Sequence, residues 1–153
     1  MTIRHATLAD VDDLTLMGAR FQAESIYGHW FSENFEQMDR LAMFLINNAD
    51  GVILVADDED VGLVGMLALL CSPHPWSGER CCGELAFFVD PAARGSMGAR
   101  LLSAGRHYAR EQGAVFMLMV SPSVPDIVED RTGTLYQRCG FAPLERGWIL
   151  RLT

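Results

Sequence analysis

Residues 84–102 read ELAFFVDPAARGSMGARLL, and the fold turns on this stretch. Leu85 to Val89 is a short apolar run with two Phe and a Val, the pattern of a buried strand. Asp90-Pro91 stops it, because proline has no N–H to extend a ladder. Ala92 to Gly98 then leads into Ala99-Arg100-Leu101-Leu102, which reads as the start of a helix. Strand, glycine-bearing turn and helix in this order aim backbone N–H groups and a helix N-terminus at one spot, an arrangement that suits a phosphate. Gly95 and Gly98 can adopt positive φ and let a ligand approach the main chain. Arg94 can add charge-assisted hydrogen bonds. An ordinary strand–helix connection would read the same way, so this stretch alone leaves both alternatives open.

Working outward, Thr2 to Ala6 predicts a first strand, with Thr7 as the cap of a helix whose apolar face carries Val11, Leu14, Met17 and Phe21. Ser25 to Trp30 breaks that period and is rich in aromatics. A second helix is expected over Asn34 to Asn47, with Ser32 near its cap. Two strands, Val52 to Ala56 and Val61 to Leu70, flank the acidic turn Asp57-Asp58-Glu59-Asp60, which reads as a solvated hairpin tip rather than a metal site. A loop, Ser72 to Arg80, precedes the central stretch. After it, a helix from about Gly98 to Gln112 presents Leu101, Leu102, Gly105, Tyr108 and Ala109 on one face. Ala114 to Val120 predicts a buried strand, Val128 to Cys139 a weaker helix, and Phe141 to Leu152 two closing strands. The whole is a single α/β domain over residues 1–153, a mixed central sheet flanked by about four helices.

Composition narrows the function. The formal net charge of -8 argues against a non-specific nucleic-acid binder, which needs a basic face, and is compatible with a cationic substrate such as an amine. All 12 basic residues are Arg, so lysine chemistry is excluded. Cys71, Cys81, Cys82 and Cys139 form no CxxC pair, and no metal site is expected. Reduced, mostly buried thiols are the expectation, which implies a cytoplasmic setting. No signal peptide is visible, and the longest apolar run, Val61 to Cys71, is too short to span a bilayer, so no membrane partner is expected.

Two segments carry a family resemblance. Val89-Asp90-Pro91-Ala92-Ala93-Arg94-Gly95-Ser96-Met97-Gly98-Ala99-Arg100-Leu101-Leu102 is similar to the pyrophosphate-binding turn of the GNAT superfamily of N-acetyltransferases. Leu135-Tyr136-Gln137-Arg138-Cys139-Gly140-Phe141 resembles that family's tyrosine-x-x-x-glycine-phenylalanine ending. The element order extends the resemblance over essentially the whole chain. The wording ELAFFVDPAARGS and the SPHPWS loop look most like small phage-type members. One departure is the family's frequent Asn ahead of the tyrosine, where this chain has Glu129 or Asp130 nearby.

The resemblance implies acetyl-coenzyme A as donor and a small-molecule or protein amine as acceptor. The turn Arg94, Gly95, Ser96, Met97, Gly98, Ala99 would hold the pyrophosphate. The backbone of Phe87, Phe88 and Val89 would pair with the amide-bearing pantetheine arm as another strand would. Tyr136 would protonate the leaving thiolate. Glu84 is the leading general base, opening the central strand among apolar residues that would raise its pKa. Alternation puts it on the face of Ala86 and Phe88. His74, Glu79 and Glu24 are weaker base candidates. Tyr27, Trp30, His74 and Trp76 are expected to line the acceptor pocket, although aromatics there could equally cover the core or the face of a homodimer. A non-catalytic acyl-coenzyme A binding module on the same fold is the competing reading.

Overall fold

The computed structural model describes residues 1–121 and 130–152. Its elements follow in the order β1 (Thr2–His5), α1 (Val11–Glu24), α2 (Tyr27–Trp30), α3 (Phe35–Asn47), β2 (Gly51–Asp58), β3 (Gly62–Pro73), β4 (Arg80–Val89), α4 (Ser96–Glu111), β5 (Phe116–Leu118) and α5 (Arg131–Arg138). Single 3₁₀ turns, Leu8–Asp10 and Pro91–Ala93, lead into α1 and α4. The strands form one sheet in the order β1-β2-β3-β4-β5. All neighbours are antiparallel except β4 and β5, which run parallel.

Side-chain alternation divides the core into two layers. Ile53, Val55, Met66, Ala68 and Phe88 pack beneath Leu14 and Met17 of α1 and Ala42 and Leu45 of α3. Val52, Leu54, Leu67, Leu69, Cys82 and Val89 face the other way, against Met97, Leu101, Tyr108 and Ala109 of α4. The apolar positions expected on α4 are therefore its buried face. Gly105 lets this helix lie close on the sheet. A Cβ there would stand 2.6 Å from Leu67 Cδ2 and 3.1 Å from Met117 Cε.

Local chemistry explains several boundaries. Asn34 caps α3 by accepting from Gln37 N–H at 3.0 Å, taking the place expected near Ser32. Thr7 and Asp10 close the entry to α1, with Thr7 N–H donating to Asp10 Oδ2 at 2.7 Å. Arg4 fastens β1 on both sides, bonding Asp10 and Asp57 at 2.8 Å each. That arginine pulls the Asp10 carboxyl well below the usual range.

Other expectations need correction. Ser25 to Trp30 holds a short helix, α2, so the described residues contain five helices where about four are expected. The predicted buried strand at Ala114–Val120 pairs only over Phe116–Leu118 and is not buried, with Phe116 55% exposed. An unbroken apolar run does not say which side is covered. Among the described residues 141–152 no strand forms, so the closing strands are absent there. The weaker helix begins at Arg131, and its expected start at Val128 lies outside the described residues. The thiols are not all reduced. Cys71 and Cys82 are direct cross-strand partners on β3 and β4 and form a disulfide, leaving Cys81 and Cys139 free. Among the described residues, no helix is long and apolar enough to cross a membrane.

The contact beneath α4 is testable. Gly105→Val is expected to lower stability by about 2 kcal/mol or more through overpacking, although β-branched valine is intrinsically a better helix former than glycine. Urea unfolding midpoints of the two proteins measure it.

Candidate active site

A break in the sheet creates the site. β4 and β5 pair only at Cys81–Phe116, Cys82–Met117 and Gly83–Leu118. β4 continues to Val89 on its other partner, β3, so among the described residues no strand lies beside the other backbone edge of residues 84–89. At the parting point the register of β3 and β4 also shifts. Ala68 faces Ala86 but Leu69 faces Glu84, leaving Leu85 as an extra residue. That bulge corrects the expected face of Glu84. Its partner Leu69 belongs to the layer under α4, whereas Ala86 and Phe88 lie on the α1–α3 side. Leu85 itself is displaced outward and 44% exposed.

The Glu84 carboxylate thereby enters the gap. Val120 N–H, two residues beyond the last paired position of β5, donates to Glu84 Oε2 at 2.8 Å. The Tyr136 hydroxyl lies 3.4 Å from the same oxygen and donates to the Val120 carbonyl at 3.1 Å. One residue's peptide groups thus engage both side chains. Burial pushes the Glu84 pKa up to about 7, against the opposing pull of the Val120 and Tyr136 hydrogen bonds. Tyr136 is raised well above the usual phenol value, first by burial and then by the Glu84 charge, so it keeps its proton. Its ring is held between Phe87 and Phe141, at centroid distances of 6.0 and 5.6 Å.

α5 is positioned from the same end of β5. Asp130 caps this helix by accepting from Gly133 N–H at 2.8 Å, and Ser121 Oγ donates to Asp130 Oδ1 at 2.6 Å. This latch spans the two ends of the stretch outside the described residues. It stands where the family's frequent Asn was missed in the sequence.

At the other end of the open edge, α4 begins at Ser96, two residues earlier than expected, after Gly95 at φ 107°. No side chain caps it, so the N–H groups of its first turn lack the usual partner. Gly98 differs from expectation. It lies inside α4, buried, where a Cβ would come within 2.9 Å of Leu135 Cδ2 and 3.5 Å of Phe87 Cζ. Its smallness lets α5 and β4 close on the helix. Arg94 turns back from the turn, donating to the Val89 carbonyl at 3.0 Å and to Glu24 Oε2 at 2.6 Å. Arg20 and Asp90 add a parallel tie at 3.1 Å. Both bind the end of α1 to the residues flanking the turn.

Of the expected acceptor residues, Tyr27 is the one drawn toward Glu84. Burial and then the Glu84 charge raise its pKa. Its ring also meets Phe21 and Phe31 at 5.9 and 6.2 Å. Trp30 is partly exposed at the end of α2, and Trp76 is 90% exposed on the β3–β4 loop, where its backbone N–H donates to His74 Nδ1 at 3.4 Å. Tyr27 and Trp30 share the single turn α2, whereas His74 and Trp76 lie together on the β3–β4 loop. Val120 carries no signal in the sequence, because its contacts are made through its backbone.

An open strand edge ending at an uncapped helix start, with a buried carboxyl and a protonated tyrosine at its head, fits an acyl donor bearing amides and a diphosphate. The model of the acetyltransferase (GNAT) family matches residues 19–141, and the chain belongs to that family. Solved structures share the fold. A "probable acetyltransferase" is 24% identical, covering 100% of this chain and 99% of its own, with a TM-score of 0.76. The ribosomal-protein-alanine N-acetyltransferase of Brucella melitensis biovar Abortus 2308 is 21% identical, covering 99% and 100%, with a TM-score of 0.70. The aminoglycoside N-acetyltransferase AAC(6')-Iy, solved with coenzyme A, is 14% identical, covering 98% and 93%, with a TM-score of 0.77. No curated protein matches the sequence significantly.

The raised Glu84 pKa has a measurable sign. The folded state holds this proton up to about pH 7, whereas the unfolded chain releases it near the ordinary value of 4.5. Stability from this group is therefore full at low pH and lost as pH rises through about 7. Glu84→Gln should gain on the wild type between pH 5 and pH 9 by up to about 3 kcal/mol. Paired denaturation curves at the two pH values test it, and a constant difference would place Glu84 in solvent.

Proposed function

We propose that the protein transfers the acetyl group of acetyl-coenzyme A to the primary amine of a small molecule or protein by direct attack. The observation that carries this reading is the part-buried Glu84–Tyr136 contact at the head of the open β4 edge. The donor's pantetheine arm lies along the backbone of Phe87, Phe88 and Val89. Its diphosphate meets the N–H groups of Gly95, Ser96, Met97, Gly98 and Ala99. Arg94 positions that turn through Val89 and Glu24 in the free protein, and its positive charge favours the diphosphate.

The acceptor enters on the Tyr27 side, with Trp30, His74 and Trp76 as outer candidates. Glu84 takes a proton from the ammonium, directly or through water. The free amine attacks the acetyl carbonyl, a C–N bond forms, and the C–S bond breaks as the tetrahedral intermediate collapses. A backbone N–H of the central strand stabilises its oxyanion. Tyr136 protonates the departing thiolate. The Glu84 proton then passes across the 3.4 Å contact to restore the phenol. The second amine proton leaves to solvent, so the products are amide, thiol and one released proton.

Thiol release with a panel of amines tests the activity and separates it from the competing non-catalytic acyl-coenzyme A module. Binding without turnover would favour the module. Acetyl-coenzyme A should also raise the melting temperature of the native protein, and Arg94→Glu should reduce that shift by opposing the diphosphate.

With an acceptor in hand, Glu84→Gln is expected to lower kcat/KM by about 10²-fold or more, with the loss shrinking at high pH as the amine deprotonates by itself. The wild-type acid limb should rise through about pH 7. Tyr136→Phe should lower kcat with little change in coenzyme affinity. A shared proton path makes the double variant no worse than the poorer single, whereas independent roles would multiply.

A further inference from the structure

Arginine pairing in this chain is uneven. Arg4, Arg20, Arg40, Arg80 and Arg94 each bond a carboxylate. Arg100, Arg106 and Arg110, spread along the outer side of α4, pair with no carboxylate among the described residues. Arg100 reaches only the Met1 carbonyl, at 3.4 Å, and Arg106 the Cys139 carbonyl, at 2.8 Å. These three arginines, with Ile3 and Ser103, line a groove of about 550 Å³. The neighbouring Glu111 is already engaged by His107 at 3.3 Å.

The opposite imbalance sits at the β2–β3 tip. Asp57 is paired with Arg4, but Asp58, Glu59 and Asp60 have no cationic partner among the described residues. Asp58 Oδ1 accepts the Asp60 N–H at 3.0 Å, which shapes the tip, and the adjoining Val61 is 73% exposed. Tip and groove are neighbours. Thr2 faces Asp57 in the β1–β2 ladder, and Arg100 touches Met1 just before it. A surface with an acidic projection beside a basic groove is self-complementary under a two-fold rotation, the condition for an isologous interface.

We propose that the chain forms a two-fold dimer in which the acidic β2–β3 tip of each copy seats in the α4 groove of the other. The net charge of -8 on each chain opposes association overall, so these local contacts must supply the attraction, and salt must weaken it.

Sedimentation velocity under reducing conditions tests this without any substrate. The wild type should have dimer mass at about 0.01 M salt and monomer mass at about 1 M, where the screening length falls from about 30 Å to about 3 Å. The pair Arg100→Glu with Arg110→Glu should give monomers at low salt, as should Glu59→Arg with Asp60→Arg. Mixed together, the two charge-reversed proteins should form heterodimers, because each then offers what the other's tip or groove lacks. Unchanged melting temperatures would show that the exposed substitutions leave the fold intact. A monomeric wild type at low salt overturns the proposal and leaves the groove to another acidic partner. A dimer indifferent to both reversals, or failure of the mixture to associate, overturns it equally.

Discussion

Everything at the site depends on where β4 and β5 stop pairing. A parallel pair needs evenly spaced backbone bonds to continue, and here the ladder ends after Gly83 and Leu118. Beyond that point the acceptor for Val120 N–H is the Glu84 side chain. A carboxylate occupies the space a strand backbone would take, and the Leu85 bulge turns β4 away from its neighbour. The strand keeps β3 on one side and gains an open edge on the other.

The buried carboxyl is costly and is kept by its surroundings. Isolated in an apolar layer it would stay protonated far above neutrality. Two hydrogen bonds bring it back to a value near 7, where it can exchange a proton in either direction. Tyr136 is shifted away from ionisation by the same burial and by the same carboxylate. Two neighbouring groups are thus driven to opposite tasks by one environment. Residue size completes the arrangement, since Gly98 allows Leu135 and Phe87 to meet over α4 and so sets the approach of α5.

Much of this was legible in the sequence. The strand–turn–helix at 84–102 and the tyrosine near 136 stood out because proline, glycine and helical period are local signals. Leu101, Leu102, Gly105, Tyr108 and Ala109 fell on one face because a 3.6-residue repeat leaves few alternatives. The bulge was not legible, because the apolar run LAFFV offers no alternation to interrupt. The same uniformity in AVFMLMV hid the exposure of β5. The four-residue helix α2 is too short for a period to register, and the Cys71–Cys82 bond depends on cross-strand register, which Cys81 beside Cys82 obscured. Arg94 pointed to a phosphate by type and position, but its bond to Glu24 depends on a helix seventy residues earlier in the chain.

The ties that join distant elements, Arg4 to Asp10 and Asp57, Arg20 to Asp90, Arg80 to Asp50 and Arg94 to Glu24, all use guanidinium. Guanidinium stays charged beyond pH 12, whereas an ammonium discharges near 10.4. With no lysine in the chain, the alkaline range from about pH 9 to 11 holds no side-chain ammonium to neutralise. In that window the cationic scaffold is constant, and a spectroscopic titration reads the phenols against a fixed background. The three tyrosines, all raised above the ordinary phenol value, should then ionise late without an accompanying collapse of the ion pairs.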